Sequence, residues 1–180
     1  MAMFGALRHI AGCFNRDKRG TALVEMALVA PLMIILSAGV FEFGNMLHQK
    51  LLMQAGLNDA ARFAARCNSQ MYTDYNLPAI NCANIAKNIA VYGVTGDPTP
   101  ASQPRVAGWS KNDVTVEIAS PLGCHDAIVA GVTKYRSVTA QVCIVRVTNS
   151  KVYRDLGMLS VINIGPITLG GTHEERLIRF

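Results

Sequence analysis

Glu25 lies five positions after Gly20, and Lys18 and Arg19 stand directly before that glycine. From Gly20 to Phe41, Glu25 is the only charged side chain. Cutting the chain between Gly20 and Thr21 would leave Thr21 with a new ammonium group. On a helix, the Glu25 carboxylate would then lie about one turn from it. In a low-dielectric place an unpaired carboxylate is costly, roughly 2.5–3.5 kcal/mol on membrane-insertion scales. An ammonium on this chain or on a neighbouring copy is the partner that relieves the cost. The competing reading is that Glu25 sits one turn inside a membrane interface and is wetted there.

Cysteine supplies the second possible chemistry. Of Cys13, Cys67, Cys82, Cys124 and Cys143, the first falls in the basic leader and the other four in the part expected to be exported, where disulfides persist. Four cysteines permit three connectivities, and sequence alone does not choose among them. The pairing taken as the expectation is Cys67 with Cys82, which staples a helix end to a second helix, and Cys124 with Cys143, which ties a loop to the strand after it. No C-x-x-C occurs, and Cys124-His125 is too close a pair for a standard zinc motif, so no metal is expected.

Other chemistry is hard to find. There is no G-x-S-x-G, phosphate-cradling glycine loop or H-E-x-x-H, and His9, His48, His125 and His173 are scattered. His173-Glu174-Glu175 reads as a polar strand edge or turn. Neither an enzyme nor a cofactor is expected. The net charge of +5 could suggest nucleic acid, but the first twenty residues alone carry +3. No basic stripe with interleaved aromatics follows, so nucleic acid is not expected as a partner.

The elements that must position Gly20 and Glu25 start with the leader, short, basic and weakly apolar. From Ala22 to Phe41 the chain is almost wholly apolar, the length that crosses a hydrocarbon core of about 30 Å as a helix. Charge on its N-terminal side keeps the leader cytoplasmic and exports Glu42 onward. Pro31 would kink this helix, which membrane helices tolerate. Cleavage by an ordinary signal peptidase after Ser37-Ala38-Gly39 is the alternative and would release a soluble protein.

Beyond Phe41 the pattern becomes one-sided. Phe43, Leu47, Leu51 and Ala55 recur every fourth residue, widened by Leu52, Ala60, Phe63 and Ala64. This predicts an amphipathic stalk packed on its own sheet or on a neighbouring subunit. Glu42, Asn45, His48, Gln49, Lys50, Gln54 and Asn58 take much of the other face. Gly44 and Gly56, each about 1 kcal/mol worse than Ala inside a helix, suggest close backbone contact.

After Cys67 a polar stretch leads to Pro78. Asn81 is placed to cap a second helix with Cys82, Ile85, Ala86, Ile89 and Tyr92 at helical spacing. Gly93 to Ser110 is a long loop, with Trp109 as its anchor on the core. Strands are expected at Val114–Ile118 and Ser137–Thr148. The apolar set of the second shifts phase from Val138, Ala140, Val142 and Ile144 to Val145 and Val147, which implies a bulge or burial on both faces. Tyr153 to Leu159 reads as a short helix. Ile167–Leu169 and Arg176–Phe180 read as one strand interrupted at Gly170-Gly171.

Taken together, Arg19-Gly20, T-A-L-V-E-M-A-L-V-A-P-L at 21–32, F-E-F-G at 41–44 and N-D-A-A-R-F-A-A-R at 58–66 resemble the TadE family. That family comprises minor pseudopilins of the tight-adherence (Flp) pilus system. Gly20, Glu25 and Arg62 match its pattern of a leader ending in Gly, Glu at the fifth mature position and a helix closing in an A-A-R-x-A-A-like stretch. Met26 departs from it, since an aromatic often follows the Glu. The resemblance implies a pilin-like α+β fold, with a long N-terminal transmembrane and stalk helix packed on a small antiparallel sheet of about three or four strands.

The expected divisions are a cleaved cytoplasmic leader (1–20), the helix (21–66) and an extracytoplasmic domain (67–180). The implied function is pilus biogenesis, adherence and biofilm formation. A prepilin peptidase, other pseudopilins or pilin and the assembly platform are the implied partners. The implied location is single-pass in a bacterial inner membrane, or within a surface pilus. An anchored extracytoplasmic binding module and a type II secretion pseudopilin are the alternatives.

Overall fold

The computed structural model describes residues 19–118, 123–137, 140–161 and 163–178. The leader before Arg19, with His9, Cys13 and Lys18, lies outside the described residues, as do Val138, Arg179 and Phe180. Two compact units are present, Met1–Gly44 and Asn45–Phe180. Helix α1, Arg19–Arg66, supplies the described part of the first and enters the second.

In the first unit α1 is apolar and exposed along nearly its whole length. It is long and apolar enough to cross a membrane. Pro31 lies inside it without a break in the helix assignment. The missing N–H leaves the Ala27 carbonyl without its usual donor. Ser37 Oγ donates back to the Met33 carbonyl at 2.7 Å, which satisfies the hydroxyl inside an apolar segment.

The second unit is α+β. After α1 come α2 (Ser69–Asp74), α3 (Cys82–Tyr92) and a 3₁₀ turn at Lys111–Asp113. The strands are β1 (Val114–Ile118), β2 (Cys124–Asp126), β3 (Ile128–Val129), β4 (Val132–Thr133), β5 (Gln141–Val152) and β6 (Thr168–Arg176), with α4 (Met158–Val161) between the last two. Strand β5 organises the sheet. It pairs antiparallel with β1 over Val145–Asn149, with β2 over residues 141–143 and with β6 over residues 144–152. Strands β3 and β4 form a separate hairpin.

The second half of α1 packs on this sheet through small residues. Its buried stripe is Met53, Gly56, Leu57, Ala60, Ala61, Ala64 and Ala65. The expected row of Phe43, Leu47, Leu51 and Ala55 is exposed instead. Close approach decides the matter, because alanine and glycine let a helix lie against its neighbours where leucine would hold it off. A Cβ on Gly56 would overlap the Ala90 carbonyl oxygen of α3. Gly44, the other glycine expected at a close contact, has no such neighbour within 4 Å. Glu42, expected on the polar face, is buried.

Contacts along α1 set the direction of the sheet. Asn45 Nδ2 donates to Tyr153 Oη at 2.8 Å, Met53 Sδ meets Asn149 Nδ2 at 3.3 Å, and Ile178 N donates to the Ala65 carbonyl at 2.8 Å. Strand β5 therefore runs back along the helix, from the Arg66 end to the Asn45 end.

Several boundaries differ from the sequence reading. Strand β5 begins at Gln141 and ends at Val152, and its register with β6 is unbroken. The phase shift is thus no bulge there. Val145 and Val147 face the core, while Val142, Ile144, Arg146 and Thr148 on the other face are half-buried. Strand β6 is continuous through Gly170-Gly171. A Cβ on Gly171 would come within 2.9 Å of Asn149 Oδ1 and 3.1 Å of Leu57 Cδ1, so glycine serves close packing there and does not interrupt the strand. The helix expected at Tyr153–Leu159 forms later, as α4. The polar stretch after Cys67 holds α2, whose N-cap Asn68 accepts from Gln70 N at 3.1 Å.

Helix α3 starts where expected, with Asn81 Oδ1 accepting from Asn84 N at 2.9 Å. The loop after it has no regular structure but is held throughout. Asn88 Nδ2 donates to the Gly96 carbonyl at 2.9 Å, Arg105 N to the Val91 carbonyl at 2.8 Å and Arg105 Nη2 to Asp59 Oδ2 at 2.7 Å. Val106 and Trp109 then enter the core.

Both disulfides lie toward the Arg66 end. They are Cys67–Cys82 and Cys124–Cys143, closing separations of 15 and 19 residues. In the chain-entropy account each loop of this size contributes about 3 kcal/mol. Replacing Cys67 and Cys82 together by alanine is expected to lower unfolding stability by about that amount. The check is denaturant unfolding of the full chain in micelles, followed by circular dichroism, with and without reductant. Reductant should shift the wild type further than the variant.

Candidate functional site

Gly20, Thr21 and Glu25 occupy the first turns of α1, all exposed. Four residues of helix place Glu25 about 6 Å along the axis from Thr21, on nearly the same face. Among the described residues no cation forms a salt bridge with Glu25. It is a lone carboxylate on a surface otherwise made of Leu23, Val24, Met26, Leu28 and their successors, all exposed. Water would not leave such a surface bare at this scale, since exposed apolar patches on soluble monomers are far smaller. A hydrocarbon phase or neighbouring apolar helices would cover it.

Chemically, the segment offers a peptide bond beside a glycine, a potential ammonium at Thr21 and a carboxylate one turn on. A Cβ added at Gly20 would meet nothing within 4 Å. Pro31 lies along the same helix, further in. Cys67, Cys82, Cys124 and Cys143 belong to the other unit, where they are joined in two pairs. Arg62 is exposed, with Nε 3.9 Å from Glu175 Oε1, a separation that contributes little at the surface. His173 and Glu174 lie on β6, and Glu174 pairs with Arg146 across the strands at 2.6 Å. His48 is exposed. Among the described residues no three His, Cys, Asp or Glu side chains gather as a metal site.

The sequence reading passed over the residues that tie the second unit together at its Asn45 end. Tyr153 is buried, its hydroxyl accepts from Asn45, and its N–H donates to the Ile167 carbonyl at 2.8 Å. A buried tyrosine needs a partner for its hydroxyl, and the distance of 108 residues between Tyr153 and Asn45 hid that partner.

Comparison with known proteins finds one family: the model of the TadE-like protein family matches residues 20–66. No curated protein and no solved structure matches the chain. The matched residues run from the glycine of the basic cluster to the last residue of α1. Over its long N-terminal helix, residues 20–66, this chain is similar to the TadE-like protein family.

Proposed function

We propose that this chain is a membrane-anchored, non-enzymatic component of a tight-adherence pilus assembly system, cut after Gly20 by a prepilin peptidase. The observation that carries the reading is the family match over residues 20–66, with Gly20 and Glu25 at its start on an exposed apolar helix. In this reading Gly20 to about Phe41 crosses the bacterial inner membrane with the leader in the cytoplasm. The domain from Asn45 is exported, where its two disulfides are stable. Cleavage creates the Thr21 ammonium, and Glu25 pairs with it or with that of an adjacent subunit. Other pseudopilins, pilin and the assembly platform are its partners. Its contribution to adherence and biofilm formation follows from supporting the filament.

Intact-mass measurement on protein from cells with an active prepilin peptidase tests this. The expected mature chain begins at Thr21, and Gly20→Arg leaves the leader attached. Glu25→Ala should be cut normally yet fail to support pilus formation. A mature chain starting at Met1 or at Val40 would overturn the reading. A Glu25→Ala strain with normal pili would instead favour an anchored binding module.

A further inference from the structure

Between Asp126 and Lys134 the chain reads A-I-V-A-G-V-T, with no ionisable side chain. It folds into the β3–β4 hairpin, in which Ile128 pairs with Thr133 and Val129 with Val132. Ala130 and Gly131 make the turn with φ of 52° and 77°, the left-handed pair that a two-residue hairpin favours. The base is fixed. Ala127 is buried, its N–H donates to the Ala140 carbonyl at 2.8 Å, and its carbonyl accepts from Lys134 N and Tyr135 N at 2.8 and 3.1 Å. Beyond that base every residue from 128 to 136 is exposed. Ile128, Val129, Val132 and Tyr135 keep 58%, 49%, 56% and 48% of their surface open.

Successive side chains of a strand point to opposite sides, so the Val129–Val132 pair lies on one side of the hairpin and Ile128–Thr133 on the other. A hairpin laid on its own domain would bury one side. This one buries neither. Charge gathers at its base. Lys134 and Arg136 are exposed and, among the described residues, form no ion pair. Arg176 of β6 is also exposed and donates through Nη2 to the Arg136 carbonyl, which brings a third cation to the same place. Asp126, the one carboxylate from Cys124 to Ser137, accepts from Gln141 Nε2 at 3.2 Å.

We propose that this hairpin binds lipid: its tip enters the interface of a bilayer rich in anionic phospholipid, and Lys134, Arg136 and Arg176 meet the phosphates. Charge complementarity selects this occupant. An apolar tip ahead of a basic collar matches an acyl boundary lying beneath negative headgroups. Long basic side chains can reach from apolar neighbours to those phosphates. Contact area argues against a second protein, since four half-exposed side chains offer far less than the about 800 Å² per partner that a stable interface buries. The hydrogen bonds of the hairpin and its base lower the cost of taking backbone out of water. All these residues belong to the second unit, so the contact holds whether or not Gly20 to Phe41 spans a membrane.

The chain has one tryptophan, the buried Trp109, so an added tryptophan can be read against its emission. The full chain, held in phosphatidylcholine nanodiscs, is mixed with vesicles of acyl-brominated phosphatidylcholine, with or without phosphatidylglycerol. Separate variants carry Ile128→Trp, Val132→Trp and Val152→Trp, the last exposed at the far end of β5. With phosphatidylglycerol present, emission at 128 and 132 should shift to the blue and be quenched, while 152 stays at the wild-type baseline. Lys134→Gln and Arg136→Gln, each added to Val132→Trp, should weaken vesicle binding about fivefold, and raised salt should weaken it too. No quenching at 128 and 132 overturns the proposal. Equal quenching at 152 overturns it as well, since the domain would then lie on lipid without regard to the hairpin. Equal quenching with and without phosphatidylglycerol removes the role of charge and likewise overturns it. A blue shift at 132 that grows with protein concentration before vesicles are added overturns it in favour of a second copy of the chain.

Discussion

Replacing Trp109 by alanine is expected to destabilise the second unit by about 3–5 kcal/mol, the cost typical of removing a buried aromatic. Trp109 is 2% exposed and lies among core residues from α1, α3 and the sheet. Its indole edge borders Gly56, where an added Cβ would sit 3.1 Å from Cη2. The ring fills the space beneath the long loop, so its loss leaves a cavity and frees one end of that loop. Among the described residues the indole Nε1 has no hydrogen-bond partner. Trp109→Phe should therefore cost clearly less than Trp109→Ala, because it keeps much of the volume and removes an unpaired buried donor. Urea unfolding of the full chain in micelles, followed by far-ultraviolet circular dichroism, checks both variants. Equal losses for Phe and Ala would show that the indole edge is essential and the aromatic volume is not.

The second large effect is expected at Gly56. Putting alanine there improves helix propensity by about 1 kcal/mol, and on propensity alone the change should stabilise. The structure reverses that sign. The new Cβ meets the Ala90 carbonyl oxygen, a backbone atom that cannot rotate away. Helices α1 and α3 must separate, and core overpacking of this kind costs about 1–3 kcal/mol, occasionally more. Gly56→Ala is expected to be net destabilising. Gly56→Val should lose about 3 kcal/mol or more, since a β-branched side chain adds volume at the same contact. Gly44→Ala is the control, because nothing within 4 Å opposes it, and it should be neutral or stabilising by up to about 1 kcal/mol. The same unfolding measurement decides, and a stable Gly56→Val would mean that the helices are not in close contact there.

These two positions also mark how far the sequence could be read. The long helix with its apolar first half, the Asn81 cap, the β1 strand and Trp109 as the loop's anchor were all reachable, whereas the cysteine pairing was one expectation among three connectivities and the structure supplied it. Each of the former rests on a local rule: run length, capping chemistry, alternation of period two, or spacing. Gly20, Thr21 and Glu25 were legible as neighbours along one chain segment, and the structure places them on the first turns of α1.

What the sequence misplaced were choices between faces. Hydropathy favoured the Phe43, Leu47 and Leu51 row of α1 because leucine and phenylalanine outweigh alanine on any transfer scale. Of the expected stripe the fold buried Ala60 and Ala64, together with Gly56, because contact distance, not side-chain size, governs how a helix seats on a sheet and a second helix. The doubled glycine at 170–171 looked like an interruption for the same reason. Nothing near it in sequence reveals that Leu57 and Asn149 press against that strand. The role of Tyr153 needed its partner Asn45, remote in the chain.

The sequence by itself therefore determined the long apolar helix with its lone carboxylate, the second capped helix and the first strand, because local composition and spacing control those. Only the tertiary structure decided which stripe of α1 becomes core, that β5 is the central strand, and that Tyr153 pairs with Asn45. Those outcomes depend on long-range contacts in which small residues permit close approach, and no local pattern records them.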